Sequence, residues 1–253
     1  MLLRADNISV NFGGVRAVSD VSAACAPGEL LGIIGPNGSG KTTFLNALTG
    51  VVSAKGTLNV DGDNVVLGNP IRSYEAGLLR VFQAPQMFPS FTVLENVLVS
   101  SRDHSASGLF GSWGFRPGMW RHERQRWRNA HAALERVGLA DVVDERATSM
   151  SYGIQRLIEL ARAMNAAPKV LMLDEPSAGL NDAETANLAD LISSLRADGL
   201  GVLLVDHKID FIDRLCDRVV VLELGAKIAE GAPAEVWAHA RVIDAYLGTV
   251  ADA

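Results

Sequence analysis

Apolar and polar positions alternate with a period near two through Leu2 to Val10 and again through Val15 to Ser22, on either side of Phe12-Gly13-Gly14. That period puts every second side chain on one face and predicts an antiparallel β pair joined by a glycine turn. Glu29 to Ile34, bounded by Gly28 and Gly35, is the short apolar run of a buried strand. Over Lys41 to Thr49 the spacing becomes helical, with Phe44, Leu45 and Leu48 on one side. Thr57 to Val60 and Leu79 to Phe82 read as further strands.

Between about residues 85 and 165 the pattern changes character. Thr92 to Ser100 predicts a short helix, a stretch rich in Gly, Ser, Arg and Trp follows, and a polar helix comes near His122 to Val137. This predicts a mainly helical subdomain, with an insertion at about 102–129, set into a framework formed by about 1–84 and 166–253. From Val170 strands and helices alternate: strand Val170 to Leu173, helix Asp182 to Ala197, strand Gly201 to Val205, helix Ile209 to Cys216. Two strands, Arg218 to Leu224 and Lys227 to Glu230, precede a last helix from Ala234 to Leu247. Such alternation predicts an α/β fold. There is no internal repeat.

Composition narrows the class. With 253 residues, 48% hydrophobic and 21% charged, the chain has the material for one sizeable core and is not disordered in character. A net charge of -6 argues against nucleic acid as the main partner, which calls for clustered Lys and Arg. Cys25 and Cys216 have no metal-ligand spacing and read as two small buried thiols in a reducing compartment. Met1 to Asp6 lacks the apolar core of a signal peptide, and no run approaches the ~20 apolar residues of a bilayer span. Work at a membrane would therefore need another subunit.

The chemistry begins at Gly35-Pro36-Asn37-Gly38-Ser39-Gly40-Lys41-Thr42, which fits G-x-x-x-x-G-K-[ST] directly after a strand and before a helix. Glycines let the backbone curl so that N–H groups, including that of Thr43 in the helix's first turn, point at phosphate oxygens. Lys41 would reach the β and γ phosphates of ATP, and the Thr42 hydroxyl would meet Mg²⁺. Val170 to Glu175 is a buried strand ending in two carboxylates. Asp174 suits the Mg²⁺ shell through water, and Glu175 can orient or deprotonate an attacking water.

Taken together with further features, the chain resembles the ABC ATPases over essentially its whole length. Gln83 follows a strand where that family has a glutamine that binds Mg²⁺ and water. Ser151-Tyr152-Gly153-Ile154-Gln155 resembles the family's signature, Ser177 to Asp182 its D-loop, His207 its switch histidine, and Phe12 the aromatic residue that stacks on adenine. The resemblance implies a RecA-like core with an antiparallel β subdomain and an inserted α-helical subdomain. It also implies a head-to-tail dimer in which Ser151 and Gly153 of one protomer close over the other's ATP. Three positions depart from the pattern: Ile154 for glutamine, Asn181 for aspartate, and Lys208 where an acid is common.

A finer resemblance points to the longer ATPase of branched-chain amino-acid importers. It rests on Phe82-Gln83, Met87-Phe88-Pro89, Thr92 to Val97, the insertion, and the tail through Tyr246-Leu247-Gly248. The implied partners are a second ATPase subunit, two transmembrane permeases and, indirectly, an extracytoplasmic solute-binding protein. The implied location is the cytoplasmic face of the inner membrane. A urea, amide or other small-solute importer is the alternative within this class, and a soluble non-transport ABC ATPase the alternative outside it. No N-K-x-D motif supports a GTPase. Trp113, Trp120 and Trp127 among Arg116, Arg121, Arg124, Arg126 and Arg128 form a basic aromatic stretch, either a contact for lipid headgroups or permeases or a solvated helix with tryptophans packed inward.

Overall fold

A computed structural model describes residues 1–101 and 117–251, with the side chains of 117–121 and 247–251 outside that description. The chain divides into two compact units, Met1–Gln83 with Pro168–Ala253, and Ala84–Ala167.

The first unit opens with strands β1 (Leu3–Phe12) and β2 (Val15–Cys25), whose buried positions alternate as the sequence predicts. They pair from Leu3↔Cys25 to Phe12↔Val15, so both run further than the alternation alone suggested. β3 (Leu30–Ile34) is wholly buried and leads into α1 (Lys41–Leu48). β4 (Lys55–Val60) and β5 (Asp63–Val65) complete a four-stranded antiparallel sheet in the order β2-β1-β4-β5. α2 (Pro70–Ala76) starts on an Asn69 cap with Pro70 in its first turn, and β6 (Leu78–Val81) ends this stretch.

The second unit holds α3 (Val93–Leu98), α4 (Pro117–Arg136) and α5 (Tyr152–Asn165). Thr92 and Glu95 form a reciprocal capping box at the start of α3. The stretch from Ser105 to Arg116, with Trp113, lies outside the described residues. Of the basic aromatic segment the structure gives an exposed Trp127 stacked on His131 at 6.4 Å between ring centres.

The first unit resumes with β7 (Val170–Asp174), α6 (Asp182–Ala197), β8 (Gly201–Val205), α7 (Ile209–Leu215), β9 (Arg218–Glu223) and β10 (Ala226–Gly231). These strands join a six-stranded sheet ordered β10-β9-β3-β8-β7-β6, parallel except for β10. One apolar core runs from Leu3, Ile8 and Val21 of the small sheet through Phe44 and Leu48 of α1 to Ile33, Met172 and Leu203 of the large one.

The tail corrects one expectation. In place of a single helix from Ala234 to Leu247 there are two, α8 (Pro233–Trp237) and α9 (Ala240–Ala251). The His239 N–H turns back to Val236, and its carbonyl accepts from Val242 and Ile243, so a new helix starts there. Among the described residues no helix is long and apolar enough to cross a membrane.

Candidate active site

The connection from β3 to α1 carries the phosphate-loop sequence, and its glycines are required by backbone geometry. Gly35 has φ 148° and a Cβ there would run into the Leu222 carbonyl oxygen of β9. Gly40, at φ 101°, caps α1, and its Cβ would stand 2.6 Å from the Ala17 carbonyl oxygen of β2. The loop is pinned from outside by Gly225, whose N–H donates to the Ser39 carbonyl at 3.0 Å. The Ser39 hydroxyl is buried within it and has no hydrogen-bond partner among the described residues.

A cavity of about 520 Å³ lies over this loop, lined by Asn37 to Thr43 on one side and by Glu175 and His207 on another. Val15, Arg16 and Ala17 of β2, with Leu224 and Gly225, complete the wall. The Lys41 ammonium is buried and donates to the carbonyls of Gly35 at 2.7 Å and Pro36 at 2.9 Å. Burial pulls its pKa down, while Glu175 and Asp174 push it back up.

Glu175 follows β7 in the left-handed region, φ 47°, with its N–H on the Val205 carbonyl at 2.7 Å. This turns its carboxylate out of the strand. Gln83 donates from Nε2 to Glu175 Oε2 at 2.6 Å, and His207 Nε2 lies 2.7 Å from Oε1. Since a carboxylate only accepts, Nε2 carries the proton. Three sequence-predicted residues thus meet at one carboxylate.

Asp174, buried one residue earlier, is paired with Arg80 of β6, a residue that sequence reasoning missed. The same guanidinium bonds Asn46 of α1 and lies 4.8 Å over the Phe82 ring. A single arginine therefore ties the helix behind the phosphate loop, the metal-shell aspartate and the residue beside Gln83. A lone Arg in an apolar strand was the available signal.

Phe12 is half exposed at the end of β1 and does not line the cavity, although its pairing partner Val15 does. Ser151 and Gly153 lie in the second unit at the start of α5. The Ser151 hydroxyl caps this helix, accepting from the Ile154 N–H at 3.4 Å. The unusual Asn181 caps α6. Its side chain accepts from the Glu184 N–H at 2.9 Å, and the Glu184 carboxylate accepts from the Asn181 N–H at 3.0 Å.

The donor set suits a nucleoside triphosphate with Mg²⁺. It offers a basic, N–H-rich loop, the Thr42 hydroxyl in the first turn of α1 and Asp174 nearby. Among the described residues no three His, Cys, Asp or Glu gather to hold a metal. Any Mg²⁺ would be shared with phosphate oxygens, as its reluctance to dehydrate favours.

Comparison with known proteins agrees in kind. A sequence family described as "ABC transporter" matches residues 18–178, and one described as "Branched-chain amino acid ATP-binding cassette transporter" matches 226–252. The chain is 37% identical over 249 residues to the high-affinity branched-chain amino acid transport ATP-binding protein LivG of Escherichia coli (strain K12), covering 98% of each chain. It is 36% identical over 251 residues to the corresponding protein BraF of Pseudomonas aeruginosa, again covering 98% of each. The crystal structure of the ADP conformation of MJ1267, an ATP-binding cassette of an ABC transporter, superposes with a TM-score of 0.83 at 31% identity over 98% of both chains.

Proposed function

The chain belongs to the ABC transporter family and is one of its ATP-hydrolysing subunits, and from that premise we propose that it powers an importer of branched-chain or related hydrophobic amino acids. The solute reading is supported by full-length similarity to proteins named for that transport and by the matching C-terminal segment. The site reading is carried by one observation: the Glu175 carboxylate is gripped by Gln83 and His207 at the edge of a cavity floored by the phosphate loop.

In this reading backbone N–H groups from Gly38 to Thr43 and the Lys41 ammonium hold the phosphates of ATP. Lys41 is already buried, so its charge acts in a poorly screened setting. Thr42, Gln83 and, through water, Asp174 would hold Mg²⁺, which would supply positive charge to offset that of the phosphates. Glu175 takes the proton of the attacking water. Gln83 and His207 hold its carboxylate in the right direction, and His207 also faces the γ phosphate. Phe12 stacks on adenine.

Ser151 and Gly153 serve the nucleotide held by a second ATPase subunit in a head-to-tail dimer. Two permeases then carry the pair at the cytoplasmic face of the membrane, with a solute-binding protein outside and no nucleic acid involved.

Glu175→Gln keeps the size but turns an NH₂ toward Gln83 or His207 and cannot accept the proton. It should leave Mg-ATP affinity within about twofold and lower kcat by about 10²-fold or more. Steady-state ATPase assays beside fluorescent-nucleotide titration check this; normal turnover would refute the role of Glu175. Lys41→Ala should weaken binding itself.

A further inference from the structure

Asp206 sits between the last residue of β8 and His207, and its side chain is buried. Its carboxylate accepts four hydrogen bonds. Oδ1 receives the Ser177 hydroxyl at 2.8 Å, the His207 N–H at 2.8 Å and the Lys208 N–H at 3.0 Å. Oδ2 receives the Ser177 N–H at 3.2 Å. A buried carboxylate is costly unless it is hydrogen-bonded, and these donors give both oxygens partners.

The donors come from only two segments: the loop that follows Glu175, and the segment that carries His207. Lys208 adds a second tie between them. Its ammonium donates to Thr185 Oγ1 at 3.2 Å and lies 3.5 Å from the Leu180 carbonyl oxygen. The loop Ser177–Leu180 is thus fastened near both ends to residues 206–208. Glu175 is drawn into the same knot, because its carbonyl accepts the Ala178 N–H at 3.1 Å and its N–H reaches Val205.

We infer that Asp206 is a positioning residue for ATP hydrolysis, locking the loop Ser177–Leu180 to the backbone of His207 so that the Glu175–His207 bond is set by the loop's position. The inference rests on the proposed roles of Glu175 and His207. Any movement of the loop is delivered to the catalytic carboxylate through Asp206. Lys208 makes that grip two-handed.

Asp206→Asn tests it. The amide is isosteric, but its NH₂ must face either the Ser177 N–H or the N–H groups of His207 and Lys208, so one side of the knot opens. With the purified full chain, kcat for Mg-ATP should fall by about tenfold or more, while KM and the affinity for a fluorescent ATP analogue stay within about twofold. Ser177→Ala removes one donor only and should lower kcat by about threefold with the same split. Unchanged kcat in Asp206→Asn would overturn the inference, as would a parallel loss of nucleotide affinity, the mark of a merely structural support. If Asp206→Asn does not fold, Ser177→Ala decides by the same two readouts. Glu175→Gln, measured beside them, separates the two claims. Retained turnover there strikes at Glu175, whereas its loss with an unaffected Asp206→Asn strikes at Asp206 alone.

Discussion

Burial pushes the Cys25 thiol up to about 12 and the Cys216 thiol higher still, with nearby carboxylates adding to the effect. Both therefore stay protonated, and poor nucleophiles, at neutral and mildly basic pH. Iodoacetamide at pH 8 should leave both thiols of the native chain unmodified and alkylate both in denaturant, as intact mass will report. The sign of the stability effect follows from the same shift. The native thiols hold their protons above the unfolded value, so stability is full below the ordinary thiol pKa and falls as pH rises from there toward 12. At this scale legibility was uneven. Lys41, Thr42 and Glu175 could be read because a contiguous motif fixes their spacing. Arg80 could not, since its ionic and hydrogen-bond partners Asp174 and Asn46 come from distant parts of the chain and no sequence interval relates them.

Helix α5 holds a cluster of buried charge. Glu159 and Arg156 are each almost fully buried, and Glu159 also receives Arg162 at 3.0 Å and the Gln86 N–H at 2.8 Å. Burial raises the Glu159 pKa despite these partners, so the group is held at a cost. Removing it is nonetheless worse than keeping it, because Arg156 would lose its opposite charge and Arg162 and the Gln86 N–H their acceptor. Glu159→Ala should destabilise the fold by about 3 kcal/mol, seen as an earlier midpoint in urea. A variant as stable as wild type would contradict this. Among elements, strands with clean alternation and the helix after the phosphate loop were legible. β5 and α2 were not, being three and seven residues long. The tail misled because apolar residues keep a helical spacing across His239, where only backbone bonding reveals the break.

At the scale of the whole molecule, the phosphate loop belongs to one unit and the signature serine to the other. In the proposed dimer, nucleotide is the link between two chains, and blocking hydrolysis should preserve it. Small-angle scattering of Glu175→Gln with Mg-ATP should report twice the monomer mass, reverting with ADP. Monomer under both conditions, with a sister subunit also supplied, would rule out the dimer. The order of strands carries a separate consequence. β6 and β7 are parallel neighbours, paired from Leu78↔Val170 to Val81↔Leu173, yet the whole second unit is threaded between them. Parallel strands cannot be joined by a hairpin, because the exit of one lies at the far end from the entrance of the next. The second unit therefore also carries the chain from the end of β6 back to the start of β7. Cutting it out and splicing the ends with a tight turn would tear the sheet, whereas a helical bridge of about a dozen residues has the reach to restore it.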